Sequence, residues 1–370
     1  MSDEFDANVV KTLDETDKKC PACGGTMDFD PKTGGLLCPY CGHMQEIKAD
    51  AASADEAPMP STAKEIPLEE AEKTANCDWG TATKTIICKS CGAESVYDAQ
   101  VLSSECPYCG SNQVTEAGDT NTMAPGGVVP FKIDQNEAGS RFGAWIKKKF
   151  FCPKAAKESA NPKKFQGIYL PYWTFDADTK STYTADYGID RTEEDKEGKS
   201  HTVTDWHKTS GSFNKFYNDE LVCGTTQHDT TMLRCIEPFD TEDNKAYKPE
   251  YVAGFGAEKY SIGVKDAWET GKKQIDDKIE SEIRSKILEE KDADRVRNLN
   301  VKSAFSNLTF KYLLLPVWIS SFKYQEKVYQ FMVNGQTGKV YGKTPVSKIK
   351  VFITILLIVA IFALLLYFNR

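Results

Sequence analysis

Two short stretches decide the fold of this chain: "GIYLPYWTFDA" at Gly167–Ala177 and "KYLLLPVWISS" at Lys311–Ser321. Both contain the pattern L-P-x-W, at Leu170–Trp173 and at Leu315–Trp318, and both are rich in residues that favour strands. Helix-like sequence precedes each stretch, and alternating polar and aromatic residues follow it. The sequence therefore predicts an α+β domain in which a helix followed by antiparallel strands occurs twice, as a distant duplication.

The proline inside each predicted strand restricts where that strand can lie. Proline has no N–H group to donate to a neighbouring strand, so it is found in edge strands, at strand starts and at bulges. We therefore expect each L-P-x-W strand to lie at an edge of its sheet or to contain a bulge.

A long helix is predicted before the second L-P-x-W stretch. Its large apolar residues follow one another at spacings of 7, 4, 4 and 4, with charged residues between them, which is typical of one apolar stripe on a helix. Packing of this stripe against the sheet is the favoured interpretation, and a surface for a partner helix is the alternative. The stripe consists of Trp268, Ile275, Ile279, Ile283 and Ile287.

The twelve cysteines include two clusters with one spacing, C-x2-C-x14-C-x2-C. Zn²⁺ takes four thiolates in a tetrahedron, and each C-x2-C turn supplies two of them from one tight knuckle. A glycine follows the second cysteine of every knuckle (Gly24, Gly42, Gly92 and Gly110), where it can adopt positive φ and let backbone N–H groups face the sulfur. The sequence predicts two zinc ribbons that each bind one zinc ion, through Cys20, Cys23, Cys38 and Cys41 and through Cys88, Cys91, Cys106 and Cys109.

Other roles for the cysteines fit the pattern less well. A redox C-x-x-C begins a helix in a larger fold, and catalytic zinc leaves one position to water and recruits histidine or glutamate. His43 follows the knuckle at Cys41 and is interpreted as facing water, and the other histidines are scattered. The remaining cysteines lack paired spacing and are interpreted as buried small residues. These residues are His43, His201, His207 and His228, and Cys77, Cys152, Cys223 and Cys235.

The C-terminal segment is apolar enough to cross a membrane. Residues 351–368, "VFITILLIVAIFALLLYF", contain Thr354 as their only polar residue and would form a helix of about 27 Å, close to the thickness of a bilayer core. Lys343, Lys348 and Lys350 precede this segment, and positive residues stay on the cytoplasmic side. We expect a single-pass, tail-anchored protein of the cell membrane whose N-terminal bulk is cytoplasmic, a reducing compartment that suits metal-binding cysteines.

Composition divides the rest of the chain into modules. Stretches rich in Ala, Pro and Glu between the cysteine clusters cannot bury a core and are interpreted as flexible linkers. The predicted boundaries are an acidic disordered tail (1–19), zinc ribbon 1 (20–45), a linker (46–76), zinc ribbon 2 (77–115), a linker (116–127), the α+β domain (128–342), and a juxtamembrane segment with the transmembrane helix (343–370).

The stretch "GKVYGKT" at Gly338–Thr344 is similar to the end of a phosphate-binding loop. That loop has four residues between its glycines, follows a strand and begins a helix. Here three residues separate Gly338 from Gly342, and the surrounding "VYQFMVNGQTGKVYGK" has the alternation and turn residues of a β-hairpin. "VVKTLDETD" at Val9–Asp17, which resembles a Mg²⁺-binding strand, lies in the charged tail. We therefore predict no nucleotide site, no catalytic residue and no enzymatic activity.

Charge argues against a general nucleic-acid partner. The chain has a net charge of −8, and nucleic-acid affinity comes largely from Lys and Arg on phosphates. Both ribbons carry more acidic than basic residues, which favours protein partners. One basic stretch, Trp145–Phe165, contains seven lysines and interleaved aromatic residues. A solvated helical face is the favoured interpretation there, with anionic lipid or nucleic acid as alternatives.

Several motifs together resemble a family of bacterial membrane-anchored zinc-ribbon proteins, often labelled primosomal protein N′-like, replication restart helicase-like or TFIIB-type zinc ribbon-containing. The similar features are "CPYCG", "VVPFKI", "YLPYWTFDA", "LLLPVWI", "NGQTGKVYGKTP" and the hydrophobic tail, over roughly residues 80–370. The resemblance implies a membrane anchor or adaptor and suggests a flotillin-type membrane scaffold as partner. The chain lacks the ATPase motifs of a helicase, so helicase activity is not implied, and the additional ribbon at Cys20–Cys41 departs from simpler members.

Two functions from different classes remain. The first is a non-enzymatic, tail-anchored adaptor or scaffold that contacts the lipid bilayer through residues 351–368 and binds a cytoplasmic protein through its zinc ribbons. The alternative is a membrane-tethered zinc-ribbon protein that binds nucleic acid, as in replication restart, without helicase activity of its own. The acidic ribbons favour the adaptor.

Overall fold

The structure is a computed structural model that describes residues 18–47, 61–71, 83–89, 94–98, 114–117, 123–159, 165–194, 198–325 and 327–368. It mixes helices and sheets. The α-helices are α1 (Gln135–Lys147), α2 (Lys154–Ser159), α3 (Thr230–Ile236), α4 (Val264–Glu290) and α5 (Lys348–Phe368). The strands are β1 (Asp28–Asp30), β2 (Gly35–Leu37), β3 (Met44–Gln45), β4 (Ile66–Pro67), β5 (Thr83–Cys88), β6 (Glu94–Asp98), β7 (Val114–Ala117), β8 (Gly127–Val128), β9 (Gln166–Glu194), β10 (Ser200–Cys223), β11 (Lys245–Ala246), β12 (Gly256–Ala257), β13 (Arg295–Tyr324), β14 (Lys327–Asn334) and β15 (Val340–Gly342).

The two L-P-x-W stretches lie side by side at the centre of the main sheet. β9 and β13 pair antiparallel, with Leu170 opposite Leu315, and each begins a hairpin, β9 with β10 and β13 with β14. The order along the sheet is β11-β8-β13-β9-β12-β6-β5-β7. In addition, β15 pairs with β14, and β4 pairs with β13. The predicted strands and hairpins are confirmed.

Pro171 occupies a place in β9 where the outer neighbour changes. β12 pairs with β9 up to Tyr169, and β10 takes over from Tyr172. The Pro171 carbonyl points outward and accepts the N–H of Gly224 at 2.8 Å. Since the N–H and C=O of a strand residue point to the same side, the missing N–H of Pro171 removes no bond with β13.

Pro316 occupies the corresponding place in β13. β8 pairs with β13 up to Leu314, β14 pairs from Val317, and the Pro316 carbonyl accepts the N–H of Gly335 at 2.8 Å. The expectation of an edge strand is therefore wrong for both prolines. The register between β9 and β13 does shift, at Arg297/Asn300 and at Ser306/Thr309, but neither shift lies at Pro171 or Pro316. They are tolerated inside central strands because each lies in the gap between two outer neighbours.

The two faces of the sheet carry separate cores. α1 and α4 cover one face, where Phe175 and Trp268 lie 5.3 Å apart between ring centroids. α3 covers part of the other face with Met232, Leu233 and Ile236. All five residues of the predicted stripe on α4 are buried, so its packing against the sheet is confirmed.

The "GKVYGKT" stretch forms a turn and a strand. β14 and β15 pair antiparallel with Val333 opposite Val340, and Gly338 adopts φ +74° in the turn between them. This geometry is the β-hairpin that the sequence predicts.

The predicted linkers are only partly linkers. Residues 61–71 contribute β4, in which Ile66 pairs with Phe310 of β13, and the N–H of Ala63 donates to the Asn244 side chain at 2.7 Å. Met123 and Ala124, at the end of the predicted second linker, are buried. Residues 66–67 thus extend the main sheet, and Met123 and Ala124 join its apolar core. Residues 1–17, most of the predicted acidic tail, lie outside the described residues.

Candidate metal centre

Two knuckles of equal geometry hold the first cysteine cluster. The N–H of Gly24 donates to the carbonyl of Cys20 at 2.8 Å, and the N–H of Gly42 donates to the carbonyl of Cys38 at 2.9 Å. Both glycines have φ +73°, a conformation that costs glycine little. The predicted positive φ is therefore confirmed for Gly24 and Gly42, while Gly92 and Gly110 lie outside the described residues.

The four sulfur atoms converge on one point. Cys20 Sγ lies 3.5 Å from Cys41 Sγ, Cys23 Sγ lies 3.5 Å from Cys38 Sγ, and all four lie within 4.8 Å of one another. Four thiolates about 2.3 Å from a tetrahedral Zn²⁺ would lie about 3.8 Å apart. The cluster therefore has the ligand type, number and spacing to hold a metal ion.

The electrostatics of the cluster also suit a cation. Burial opposes ionisation of Cys38, but backbone N–H groups of Cys41 and Tyr40 lower the pKa of Cys38 to about 7. The N–H of His43 favours the Cys41 thiolate, yet the neighbouring sulfur atoms raise the pKa of Cys41 to about 12. Thiols this close cannot all ionise unless a cation lies between them.

The first ribbon packs against the α+β domain. The Phe29 ring lies 5.9 Å from the Tyr251 ring, and the Phe29 N–H donates to the Ala253 carbonyl at 3.0 Å. Lys32 Nζ lies 2.6 Å from Asp134 Oδ2, at the N-cap of α1. The expectation of a ribbon held only by flexible linkers is therefore wrong for ribbon 1. The buried apolar residues around its cysteines are too few for a core of their own. Ala253 of the domain joins their small apolar cluster.

The second cysteine cluster is described only in part. Cys88 is buried at the end of β5, whereas Cys91, Cys106 and Cys109 lie outside the described residues. β5, β6 and β7 join the main sheet because β6 pairs with β12, with Val96 opposite Ala257. The described strands of ribbon 2 thus extend the domain, and its zinc site stays a prediction.

The C-terminal helix α5 is long and apolar enough to cross a membrane. It has 21 residues, Lys348–Phe368, and none of them is buried. Within the described part of the chain it is the one helix that meets this criterion, in agreement with the predicted span.

Two buried polar clusters were missed from the sequence. His228 Nε2 lies 2.8 Å from Glu258 Oε2, and the Thr225 hydroxyl donates to the same carboxylate. Their side chains are separated along the chain and belong to no recognised motif. Nothing in their spacing predicts the contact.

The second missed cluster surrounds Lys311. Its ammonium lies 2.6 Å from Asp219 Oδ1, 3.3 Å from Glu65 Oε1 and 3.7 Å from Asp176 Oδ2. Burial raises the pKa of Asp176, although the N–H of Asp219 and the Lys311 ammonium favour the carboxylate. A positive φ of 52° at Asp219 marks the irregular register of β10 that brings these groups together.

Comparison with known proteins identifies a relative that matches almost the whole chain. No protein-family model and no solved structure matches the chain. The "Uncharacterized protein YdjG" of Bacillus subtilis (strain 168) is 30% identical over 335 residues, which cover 90% of this chain and 91% of that protein. The name of that protein assigns no activity, ligand or partner. The likeness extends over almost the whole length of both chains, and this protein therefore belongs to the family of YdjG.

Proposed function

We propose that this protein is a non-enzymatic, tail-anchored membrane adaptor whose cytoplasmic zinc ribbons bind protein partners. The observation that carries the proposal is the contrast between two long helices. α4 buries its apolar stripe against the sheet, while α5 buries none of its apolar side chains. An exposed apolar helix of 21 residues is stable in a bilayer, which supports a single membrane span. The lysines before it support a cytoplasmic position for the bulk of the chain.

Zinc is the proposed ion of the cysteine cluster. Tetrahedral sets of four thiolates suit zinc or iron–sulfur centres, and four cysteines leave no open position for a catalytic water. We assign a second zinc ion to Cys88, Cys91, Cys106 and Cys109 because their spacing repeats that of the first cluster.

Protein contact is supported by the surface of ribbon 1. Tyr40 and Met44 are 79% and 56% exposed, next to the second knuckle. Asp28 and Asp30 outnumber Lys32, and Lys32 is already paired with Asp134. An apolar, acidic surface suits a protein partner better than phosphates. A flotillin-type membrane scaffold remains the candidate that the family resemblance suggests.

We also infer that the α+β domain arose by duplication, with residues 127–224 as the first half and 256–335 as the second half. The strongest support is a reciprocal pair of bonds. The indole N–H of Trp173 donates at 2.9 Å to Ile262, just before the N-cap of α4. The indole N–H of Trp318 donates at 2.8 Å to Ile133, just before the N-cap of α1. Each tryptophan is thus hydrogen-bonded to the residue that precedes the helix N-cap of the other half.

Backbone hydrogen bonds connect the two halves in the same reciprocal way. Each half supplies a short parallel strand that pairs with the central strand of the other half, β8 with β13 and β12 with β9. A shared ancestor of the halves accounts for hydrogen bonds that recur at corresponding positions. The bond from Gly224 N–H to the Pro171 carbonyl corresponds to the bond from Gly335 N–H to the Pro316 carbonyl. The bond from Glu258 N–H to the Tyr169 carbonyl corresponds to the bond from Val129 N–H to the Leu314 carbonyl.

The adaptor proposal is tested by purifying partners from detergent-solubilised membranes with the full chain. The matched control is Tyr40→Ser with Met44→Ser, which removes the exposed apolar surface and leaves all cysteines in place. We expect one protein to co-purify stoichiometrically with the wild type, after nuclease treatment, and to be lost with this variant. Capture that nuclease abolishes would support the nucleic-acid alternative, and capture unaffected by the variant would contradict binding through ribbon 1.

A further inference from the structure

The basic segment after α1 lies against the start of α5. The N–H of Ser347 donates to the carbonyl of Phe151 at 2.9 Å. Lys350 Nζ donates to the carbonyls of Phe150 and Cys152 at 2.9 and 3.0 Å. Three hydrogen bonds thus fasten residues that are about 200 positions apart in the sequence. The segment is held where the apolar helix begins.

This segment exposes both apolar and positive groups. Phe150 and Phe151 are 65% and 40% exposed, and their rings contact each other at 5.2 Å between centroids. Glu158 is the one acidic residue among 145–159, and it pairs with Lys154 at 3.7 Å. We call this surface the juxtamembrane patch. Besides the two phenylalanines it comprises the exposed Lys147, Lys148, Lys154 and Lys348.

The patch lies at the level of the membrane surface if α5 spans the bilayer. The bond at Ser347 is four residues before Val351, or about 6 Å along a helix axis at 1.5 Å per residue. Aromatic side chains at this height reach the boundary between headgroups and acyl chains. Lysines at the same height reach the phosphates of anionic lipids.

We propose that the juxtamembrane patch is a lipid-binding surface that inserts Phe150 and Phe151 into the cytoplasmic leaflet and binds anionic headgroups through its lysines. The inference rests on the proposed membrane span. It adds a second membrane contact, made by the folded domain, to the contact made by α5. The domain is then fixed against the bilayer instead of swinging on its tail.

Position favours lipid over nucleic acid as the ligand of this surface. Both ligands offer phosphates, but an anionic bilayer is continuous with the surface that α5 enters. Two exposed phenylalanines gain more from an acyl boundary than from a hydrated phosphate backbone. The interpretation of Trp145–Phe165 as a merely solvated face does not explain why the backbone of its exposed Phe150 and Phe151 is hydrogen-bonded to the start of α5.

The test is photocrosslinking of the full chain in lipid vesicles. A photoreactive p-benzoylphenylalanine replaces Phe150 or Phe151, one position at a time. Phe216 is the matched control, because it is 53% exposed but lies on β10, away from α5. Phe362 within α5 reports the span itself. The vesicles contain phosphatidylcholine alone or with phosphatidylglycerol, and a single-stranded oligonucleotide is present in the suspension.

We expect lipid crosslinks from positions 150, 151 and 362 and none from 216. The yield at 150 and 151 should rise with phosphatidylglycerol and should fall about fivefold for each of Lys147→Glu and Lys148→Glu. Equal yields in both vesicles would overturn the anionic preference. Crosslinks to the oligonucleotide, or none at 150 and 151 while 362 reacts, would overturn the patch. Failure at 362 would overturn the membrane span instead.

Discussion

In the duplication that we propose for the α+β domain, the helix of each half packs on the hairpin of the other half. α4 of the second half has 27 residues and lies along the 24-residue strand β10 of the first half, where Lys215 Nζ meets Glu282 at 2.7 Å. α1 of the first half has 13 residues and packs beside the 8-residue strand β14, where the Phe142 and Phe331 rings lie 4.7 Å apart. Helix length thus follows the hairpin of the opposite half, since each helix needs an apolar surface of its own length.

Buried polar groups distinguish the halves more sharply than their backbones do. Val129 and Glu258 donate corresponding backbone bonds to β13 and β9, yet Glu258 also binds His228 and Val129 lies in an apolar core. The first hairpin has an irregular register at Asp219, whereas β14 pairs regularly with β13. One backbone arrangement therefore tolerates either an apolar or a polar filling, and the polar groups are not needed to form it.

Metal removal should have the largest effect on the stability of the fold, and it should affect the two halves differently. Ribbon 1 packs on residues 249–255, which lead into the second half, and structural zinc sites contribute about 10–16 kcal/mol of binding free energy in small peptides. We expect two zinc ions per chain by elemental analysis. Chelation should increase hydrogen exchange at 249–255 and leave 127–133 unchanged. A metal ratio near zero in protein purified without chelators would contradict the zinc assignment.

The second-largest effect on the free energy of unfolding is expected from the buried pair of His228 and Glu258. His228→Ala leaves Glu258 buried without its imidazole partner, and breaking such a pair costs about 3–5 kcal/mol. Urea unfolding of the detergent-solubilised chain, followed by tryptophan fluorescence, measures the loss. The double variant His228→Leu with Glu258→Val gives position 258 the valine that the first half has at Val129, and it should cost less than His228→Ala. A larger loss in the double variant would contradict the equivalence of Glu258 and Val129.

The reciprocal tryptophans allow a direct comparison of the halves. Trp173→Phe and Trp318→Phe each leave one carbonyl without its N–H donor, which costs about 1–3 kcal/mol for a buried acceptor. The same unfolding measurement should place the two variants within about 1 kcal/mol of each other, because the carbonyls of Ile262 and Ile133 occupy equivalent places. A loss confined to one variant would show that only one half depends on its tryptophan.

The smallest effect is expected from Lys343→Ala. Lys343, which directly follows β15, donates to Asp229 at the N-cap of α3, 2.6 Å away, and this bond lowers the pKa of Asp229. A lowered carboxyl pKa stabilises the fold above the ordinary value of about 3.9 and ceases to do so as the pH falls through the folded-state value. The variant should therefore melt slightly earlier than the wild type at pH 7 and together with it near pH 2.

The same variant tests for nucleotide chemistry. In an ATPase the lysine of a phosphate loop contacts the nucleotide phosphates, and its loss abolishes turnover. We expect ATP hydrolysis at background for both proteins, with and without single-stranded DNA. ATP hydrolysis by the wild type that disappears in Lys343→Ala would refute the proposal of a non-enzymatic adaptor and would support an ATPase.

Local spacing explains what could be predicted. The knuckle spacing of ribbon 1, the stripe on α4, the alternation in β14 and the apolar run of α5 each involve residues close in sequence. Each of these is realised in the structure. The errors have one cause. Pro171, Pro316 and the predicted linker were judged without knowing their neighbours. Residues 61–71 look like a linker because their composition cannot form a core, but β13 supplies the partner strand that their sequence lacks.

The sequence by itself determined the cysteine quartet of ribbon 1, the strands and hairpins around both L-P-x-W motifs, and the apolar C-terminal helix, because periodicity and chelate spacing act over a few residues. Only the tertiary structure decided that the two motifs pair with each other, that Trp173 and Trp318 fasten opposite helices, and that ribbon 1 packs on the domain. It also placed Phe150 beside the start of α5. These contacts join residues far apart in the chain, and they depend on which surfaces remain uncovered once the local elements have formed.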